Sequence, residues 1–202
     1  MIWKDGILYT AGRPVPGDRT RGRLRIWPPE RSKFAARCYL GQAPAVSPRD
    51  RRLYLGAAAG TTVSFLADIA ELVYAVEMAP GPLPRLMDVC RIKKNIIPIQ
   101  ADASRPEQYR MLVGRVDILY QDIAQRDQAG IAIRNLPFLK EGGRLILMLK
   151  TRSISGRDSP GDLGEEAGAA LSSAGMCDIT MTWLDRYHRD HVAIVCRKGE
   201  QM

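Results

Sequence analysis

From residue 53 onward, short unbroken apolar runs alternate with segments of helical period. Residues 53–55 form the first run. A loop of small residues follows it, and a helix is expected over 61–69. Residues 72–77 read as a buried strand. Residues 82–93 read as a helix with Leu83, Leu86, Met87 and Cys90 on one face. A third strand is expected at 95–99, a short helix opened by Pro106, and a fourth strand at 116–120. Residues 126–139 have helical period and Gly142-Gly143 reads as their stop, with a fifth strand at 144–150. Residues 152–164 are rich in Ser, Gly, Asp and Pro and read as a loop before a helix of small residues at 165–175. Two last strands, 177–184 and 192–197, are spaced as an antiparallel hairpin.

The strands are apolar throughout instead of alternating, as when a parallel sheet is covered on both faces. The expected fold is therefore α/β and Rossmann-like, mostly parallel, closed by the hairpin. Residues 1–52 have another texture, rich in Arg, Pro and Gly, with β-like pieces at 7–9 and 24–26 and a helical segment at 32–41. This divides the chain into a small basic β-rich domain with connector, 1–50, and an α/β domain, 51–202.

Charge sharpens that division. The chain carries a net +8. Residues 1–52 hold 12 Lys/Arg against 4 Asp/Glu, whereas the rest is balanced at 18 and 18. A basic segment is drawn to polyanions, RNA foremost. A solvated arm that only aids solubility is the plainer reading. The four cysteines lie far apart without a CxxC pair, and no residue cluster has metal-ligand spacing. No run approaches the roughly 18 apolar residues of a membrane span, and residues 1–10 do not form a secretory signal. A cytoplasmic protein is expected.

In open α/β sheets ligands bind beyond the carboxyl ends of the strands. The first strand runs into Gly56-Ala57-Ala58-Ala59-Gly60-Thr61-Thr62, whose small residues permit close backbone approach. The second ends in Glu77, placed to accept from ribose hydroxyls. The third leads to Asp102-Ala103, where a carboxylate could accept from an adenine amino group. This is the layout of a nucleoside-containing cofactor. A dinucleotide needs a pyrophosphate cradle, and the full G-x-G-x-x-G is missing. S-adenosylmethionine (AdoMet) has no phosphate and tolerates a loop with more Ala than Gly.

Several strings resemble the fibrillarin family: YLGAAAGTTVS at 54–64, LVYAVE at 72–77, NIIPI at 95–99, YRML at 109–112, DIAQ at 122–125, WPPERSK at 27–33 and RDHV at 189–192. The likeness runs from about residue 27 to 197. It implies a class I AdoMet-dependent methyltransferase fold behind a small N-terminal domain. It implies AdoMet contacts at Thr61-Thr62, Glu77-Met78, Asp102-Ala103 and Asp122-Ile123-Ala124-Gln125. It implies methylation of ribose 2′-hydroxyls in ribosomal and transfer RNA, directed by a box C/D guide RNA. The implied partners are a Nop-family scaffold protein and a kink-turn-binding protein of ribosomal type. The chain shows no Gly/Arg-rich extension, which fits archaeal members. The brief connection at Ala70-Glu71, the prolines of 79–84 and an abbreviated 159–175 depart from the family pattern and bear on loop shape.

Lys150 and Asp122 end neighbouring strands, so they are expected to meet over the cofactor. Lys33 and His191 match the other two positions of the family's Lys-Asp-Lys-His constellation. Lys150 would stabilise a developing alkoxide or, if neutral, take its proton; Asp122 would orient Lys150. His188 reads as a surface bystander. Trp3, Tyr9 and Trp27 read as core of the small domain, with base stacking as the alternative. Three rival functions stay open on sequence: a class I methyltransferase with another substrate, an NAD-dependent oxidoreductase, and a non-catalytic RNA-binding subunit.

Overall fold

The computed structural model describes residues 1–200. Its N-terminal sheet has four strands, β1 (Ile2–Lys4), β2 (Ile7–Thr10), β3 (Thr20–Arg21) and β4 (Leu24–Ile26), in the order β1-β2-β4-β3. A 3-10 turn, Pro29–Arg31, leads into α1 (Lys33–Tyr39). Ser32 caps that helix, accepting from the Ala35 amide at 3.4 Å.

The second sheet contains β5 (Arg51–Leu55), β6 (Leu72–Glu77), β7 (Ile96–Gln100), β8 (Val116–Gln121), β9 (Leu139–Lys150), β10 (Met176–Trp183) and β11 (His191–Lys198). Its order is β10-β11-β9-β8-β5-β6-β7. The five strands from β9 to β7 are parallel, and β11 and β10 pair antiparallel at one edge. The helices α2 (Thr61–Ala67), α3 (Leu83–Ile92), α4 (Gln128–Asn135), α5 (Thr151–Ile154) and α6 (Pro160–Ser173) connect them.

Two buried clusters sandwich this sheet. Tyr54, Ala75, Tyr120, Ile146, Met148 and Ala193 face one side with residues of α1, α2 and α3. Leu53, Leu55, Leu119, Leu145, Leu147 and Leu149 face the other with α4 and α6. Burial on both faces is why the strands are apolar at every position.

The N-terminal sheet belongs to the first of these clusters. Trp27, fully buried, is stacked between Phe34 and Phe65 with ring centroids 5.1 Å from each. Tyr9 is fully buried too, so neither ring is available to bases, whereas Trp3 is half exposed and meets Tyr39 edge-on. The Arg25 guanidinium, wholly buried, lies 4.0 Å from the Phe65 ring centroid. It donates to Asp18, Asp68, the Ser64 carbonyl and the Ser64 hydroxyl. Lys93 pairs with Asp68 from the other side.

Three expectations need correction. Gly142-Gly143 does not end a helix; α4 stops at Asn135, and both glycines lie within β9. Two steps along β8, Val116 to Ile118, correspond to five along β9, Leu139 to Arg144, so the glycines form a bulge with Gly142 at φ +70°. Residues 152–164 are mostly helical: α5 starts at Thr151 and α6 at Pro160. Pro160 at the first position and Asp162 in the first turn are start signals that the loop-like composition obscured. Finally, the basic excess of residues 1–52 is partly structural, since Arg25, Arg37 and Arg52 are buried. Burial lowers the Arg52 pKa to about 10; the side chain donates to the Leu66 and Ile69 carbonyls at the end of α2.

Removing one member of a buried ion cluster leaves its partners uncompensated. Arg25→Met is expected to lower the unfolding free energy by about 3–5 kcal/mol, read as a lower urea midpoint at unchanged slope. A loss below about 1 kcal/mol contradicts the role given to Arg25.

Candidate active site

The strand ends build the site. Beyond β5, Gly56 has φ +83°, and its amide and that of Ala57 donate to the Val76 carbonyl at 2.9 and 3.0 Å. A Cβ on Gly56 would lie 2.3 Å from the Asp122 carbonyl oxygen and 2.6 Å from Ile123 Cγ2. Only glycine lets the turn after β5 pass this close to the segment after β8.

A cavity of about 230 Å³ opens there, lined by residues from four strand ends. Gly56 and Ala58 come from the first, Glu77 and Met78 from the second, Asp102 and Ala103 from the third. Asp122, Ile123, Ala124 and Gln125 form the fourth wall. The Glu77 carboxylate accepts from the Ala58 and Ala79 amides, each at 2.7 Å. Asp102 accepts from the Ser104 amide at 2.8 Å, and that bond holds its carboxyl below the usual carboxylate range.

Four other residues expected at the cofactor do not line this cavity. Ala57 is buried behind the turn. Gly60 precedes α2 at φ +81°, against Leu86 and Val89. The Thr62 hydroxyl is buried and donates to the Ser32 hydroxyl at 3.2 Å. Thr61 lines a neighbouring cavity of about 480 Å³ with Ala59, Arg31 and Arg85.

The polar residues collect on one face of the sheet. Tyr120, Met148 and Ala193 face α1, and the alternation along each strand carries that face on to Asp122, Lys150 and His191. Helix α1 brings Lys33 to the same place. Lys33 Nζ donates to both Asp122 carboxylate oxygens, at 2.8 and 2.9 Å, and the pair is about one-fifth exposed. The carboxylate of Asp122 is thus engaged by Lys33, in place of the expected Lys150. The register gives the reason: Gln121 lies opposite Leu147, so β9 runs three residues past the last paired residue of β8 before reaching Lys150.

Lys150 is instead the cross-strand neighbour of His191. The Thr151 amide donates to the Asp190 carbonyl, which makes Lys150 and His191 a non-hydrogen-bonded pair with closely spaced side chains. His191 Nδ1 sits 2.7 Å from the Arg189 carbonyl. A carbonyl only accepts, so Nδ1 carries a proton, and in the neutral ring Nε2 presents a lone pair. Burial holds the His191 pKa below its ordinary value, and the positive charge of Lys33 acts in the same direction.

His188 is not a surface bystander. It is half-buried, its Nε2 lies 2.8 Å from the Pro29 carbonyl, and its ring meets His191 edge-on at 6.0 Å. It ties the turn between β10 and β11 to the segment that carries Lys33. The sequence reading also passed over Gln128, a fully buried side chain whose amide bonds to the Lys150 backbone. A glutamine at a helix start carries no pattern signal; only its three-dimensional partners reveal it.

The Fibrillarin family model matches residues 12–200. The chain belongs to the fibrillarin family. A fibrillarin-like rRNA/tRNA 2′-O-methyltransferase of Methanoculleus marisnigri is 50% identical over 202 residues, covering 99% of this chain and 100% of the relative. The fibrillarin of a crystallised fibrillarin/Nop5p complex superposes with a TM-score of 0.90 at 37% identity, covering 95% of this chain and 94% of that one. Aeropyrum pernix fibrillarin, crystallised with natively bound S-adenosyl-L-methionine, gives a TM-score of 0.83 at 38% identity, with coverages of 94% and 87%. The fold of this fibrillarin family member is the class I methyltransferase fold, behind the small N-terminal sheet.

The depressed His191 pKa gives a signed expectation. Lys33→Met removes a positive charge and frees the negative charge of Asp122, so the His191 pKa should rise toward its ordinary value in an NMR pH titration. An unchanged or lower value contradicts the coupling. In the unaltered chain the unfolded state takes up the histidine proton first, so this group's contribution to stability is lost as pH falls below about 6.5.

Proposed function

We propose that this chain transfers the methyl group of AdoMet to ribose 2′-hydroxyls of ribosomal and transfer RNA. The observation that carries the reading is the cavity at four strand ends, with carboxylates on its second and third walls, beside the Lys33–Asp122 pair. The residues present fit AdoMet. The missing side chain at Gly56 leaves backbone as one wall. Each Glu77 oxygen accepts one backbone N–H and keeps a lone pair for a ribose hydroxyl. Asp102, held in its ionised form, can accept from the adenine amino group, and Met78 and Ile123 supply apolar wall. The relatives' names and the AdoMet found in the Aeropyrum protein support the same assignment.

When bound, AdoMet supplies a methyl group on a positively charged sulfur. The chain's task is to hold the hydroxyl in line with that methyl and accept its proton. The Lys33–Asp122 pair fixes the carboxylate at the cavity mouth. Lys150 donates a hydrogen bond to the 2′-oxygen as negative charge develops on it. His191 Nε2, unprotonated near neutral pH, accepts the proton. The 2′-O–H bond breaks, the oxygen–methyl bond forms, and the methyl–sulfur bond releases its electron pair to sulfur.

The remaining assignments belong to the same proposal. A box C/D guide RNA chooses the nucleotide by base pairing. A Nop-family protein, of the kind crystallised in complex with fibrillarin, holds this chain on the guide-RNA complex, and a kink-turn-binding protein of ribosomal type anchors the RNA. Seven arginines and lysines of residues 1–52 are exposed, namely Lys4, Arg13, Arg19, Arg21, Arg23, Arg31 and Arg49, and face a polyanionic partner. The proposed compartment is the cytoplasm; among the described residues no helix is long and apolar enough to cross a membrane.

Lys150→Ala is expected to reduce guide-dependent methyl transfer at least a hundredfold while the AdoMet dissociation constant, measured by calorimetry, changes less than about threefold. Full activity in this variant removes Lys150 from the mechanism.

A further inference from the structure

We infer that Gln128 is a positioning residue for Lys150, setting its place relative to the cofactor wall. This inference rests on the methyl-transfer reading of the site.

At the end of β9 the backbone N–H and C=O of Lys150 point away from β11, toward the side where β8 would lie. But β8 has ended at Gln121, opposite Leu147. The Gln128 side chain fills that place. Its Oε1 accepts from the Lys150 amide at 2.9 Å, and its Nε2 donates to the Lys150 carbonyl at 3.0 Å. One carboxamide thereby supplies the acceptor and the donor that a continued parallel strand would supply from two of its residues. The second Nε2 hydrogen goes to the Gln125 carbonyl at 2.9 Å, in the wall of the cofactor cavity. The Gln128 backbone is itself held, because Gln121 Nε2 donates to its carbonyl at 2.7 Å.

Gln121 and Gln128 are both fully buried. The chain of bonds therefore runs from the last residue of β8, next to Asp122, through the start of α4, to Lys150 and the 122–125 wall. Both N–H donors of the Gln128 amide and one lone pair of its oxygen are engaged, which fixes its rotamer. The Lys150 side chain leaves a backbone held on one side by β11 and on the other only by this amide. Without it, two backbone groups of Lys150 and one of Gln125 lose their partners in a partly buried place.

The test is single-turnover methyl transfer in the reconstituted guide-RNA complex. It uses Gln128→Leu, which keeps volume but makes no bonds, and Gln128→Glu, which keeps the acceptor and loses both donors. Folded variants should turn over at least tenfold more slowly, with AdoMet affinity within threefold of the parent and a displaced pH–rate profile. A rate within twofold of the parent overturns the inference. So does a rate loss matched by an equal loss of AdoMet affinity, which marks a merely structural role in the cavity wall. Lys150→Ala, run in parallel, separates the two levels. If it stays active the site reading fails; if it is inactive while both Gln128 variants are fully active, only the positioning role fails. Amide hydrogen exchange on the unaltered chain needs no variant. The Lys150 amide should be protected like the β9 interior, and exchange as fast as an exposed loop contradicts the clamp.

Discussion

The ion pair between Lys33 and Asp122 is the contact on which the arrangement of the site depends. It joins a residue before the large sheet to a residue at the end of its fourth strand, 89 positions later. Each oxygen of the carboxylate takes a hydrogen bond from the same amino group, at 2.8 and 2.9 Å. A pair about one-fifth exposed is neither screened as on a surface nor desolvated as in a core. Around it the N-terminal segment is held by Trp27 between two phenylalanines, by the Ser32 cap, and by His188 on the Pro29 carbonyl. The N-terminal sheet thus shares one buried cluster with the large sheet and completes the face that carries Lys33, Asp122, Lys150 and His191.

The two sides of the site are built by different means. The proposed cofactor side is a matter of backbone: a glycine at φ +83°, a turn of small residues, and carboxylates whose positions are fixed by main-chain amides. The proposed substrate side is a matter of side chains brought in from three directions, by α1, by the end of β9 and by the start of β11. Buried amides connect the two sides. Gln121 and Gln128 carry hydrogen bonds from the end of β8 to Lys150 and to the cofactor wall, where the ladder of the sheet has run out.

Much of this was legible in the chain because strand endings are local features. Glu77 and Asp102 follow apolar runs, and a parallel sheet places the ends of such runs along one edge, so their meeting could be foreseen. The family resemblance supplied Lys33 and His191, which no spacing argument would have joined to residues far along the chain. What the sequence hid was relative length and local twist. Lys150 and Asp122 do end neighbouring strands, but one strand overshoots the other, and a contact read from adjacency went to the wrong lysine. The Gly142-Gly143 bulge had the look of a helix stop because both need glycine in the left-handed region. The start of α6 was hidden by composition: Pro160, Gly161, Asp162 and Gly164 open the helix with residue types that also make loops.

The most direct test of the central claim follows the acceptor atom. Labelled AdoMet is supplied to the reconstituted complex with two target RNAs, identical except that one carries a 2′-deoxy sugar at the guided nucleotide. Label should enter the ribose-containing RNA at that nucleotide and be absent from its deoxy counterpart. Equal labelling of both RNAs would place the methyl group on another atom and contradict the account.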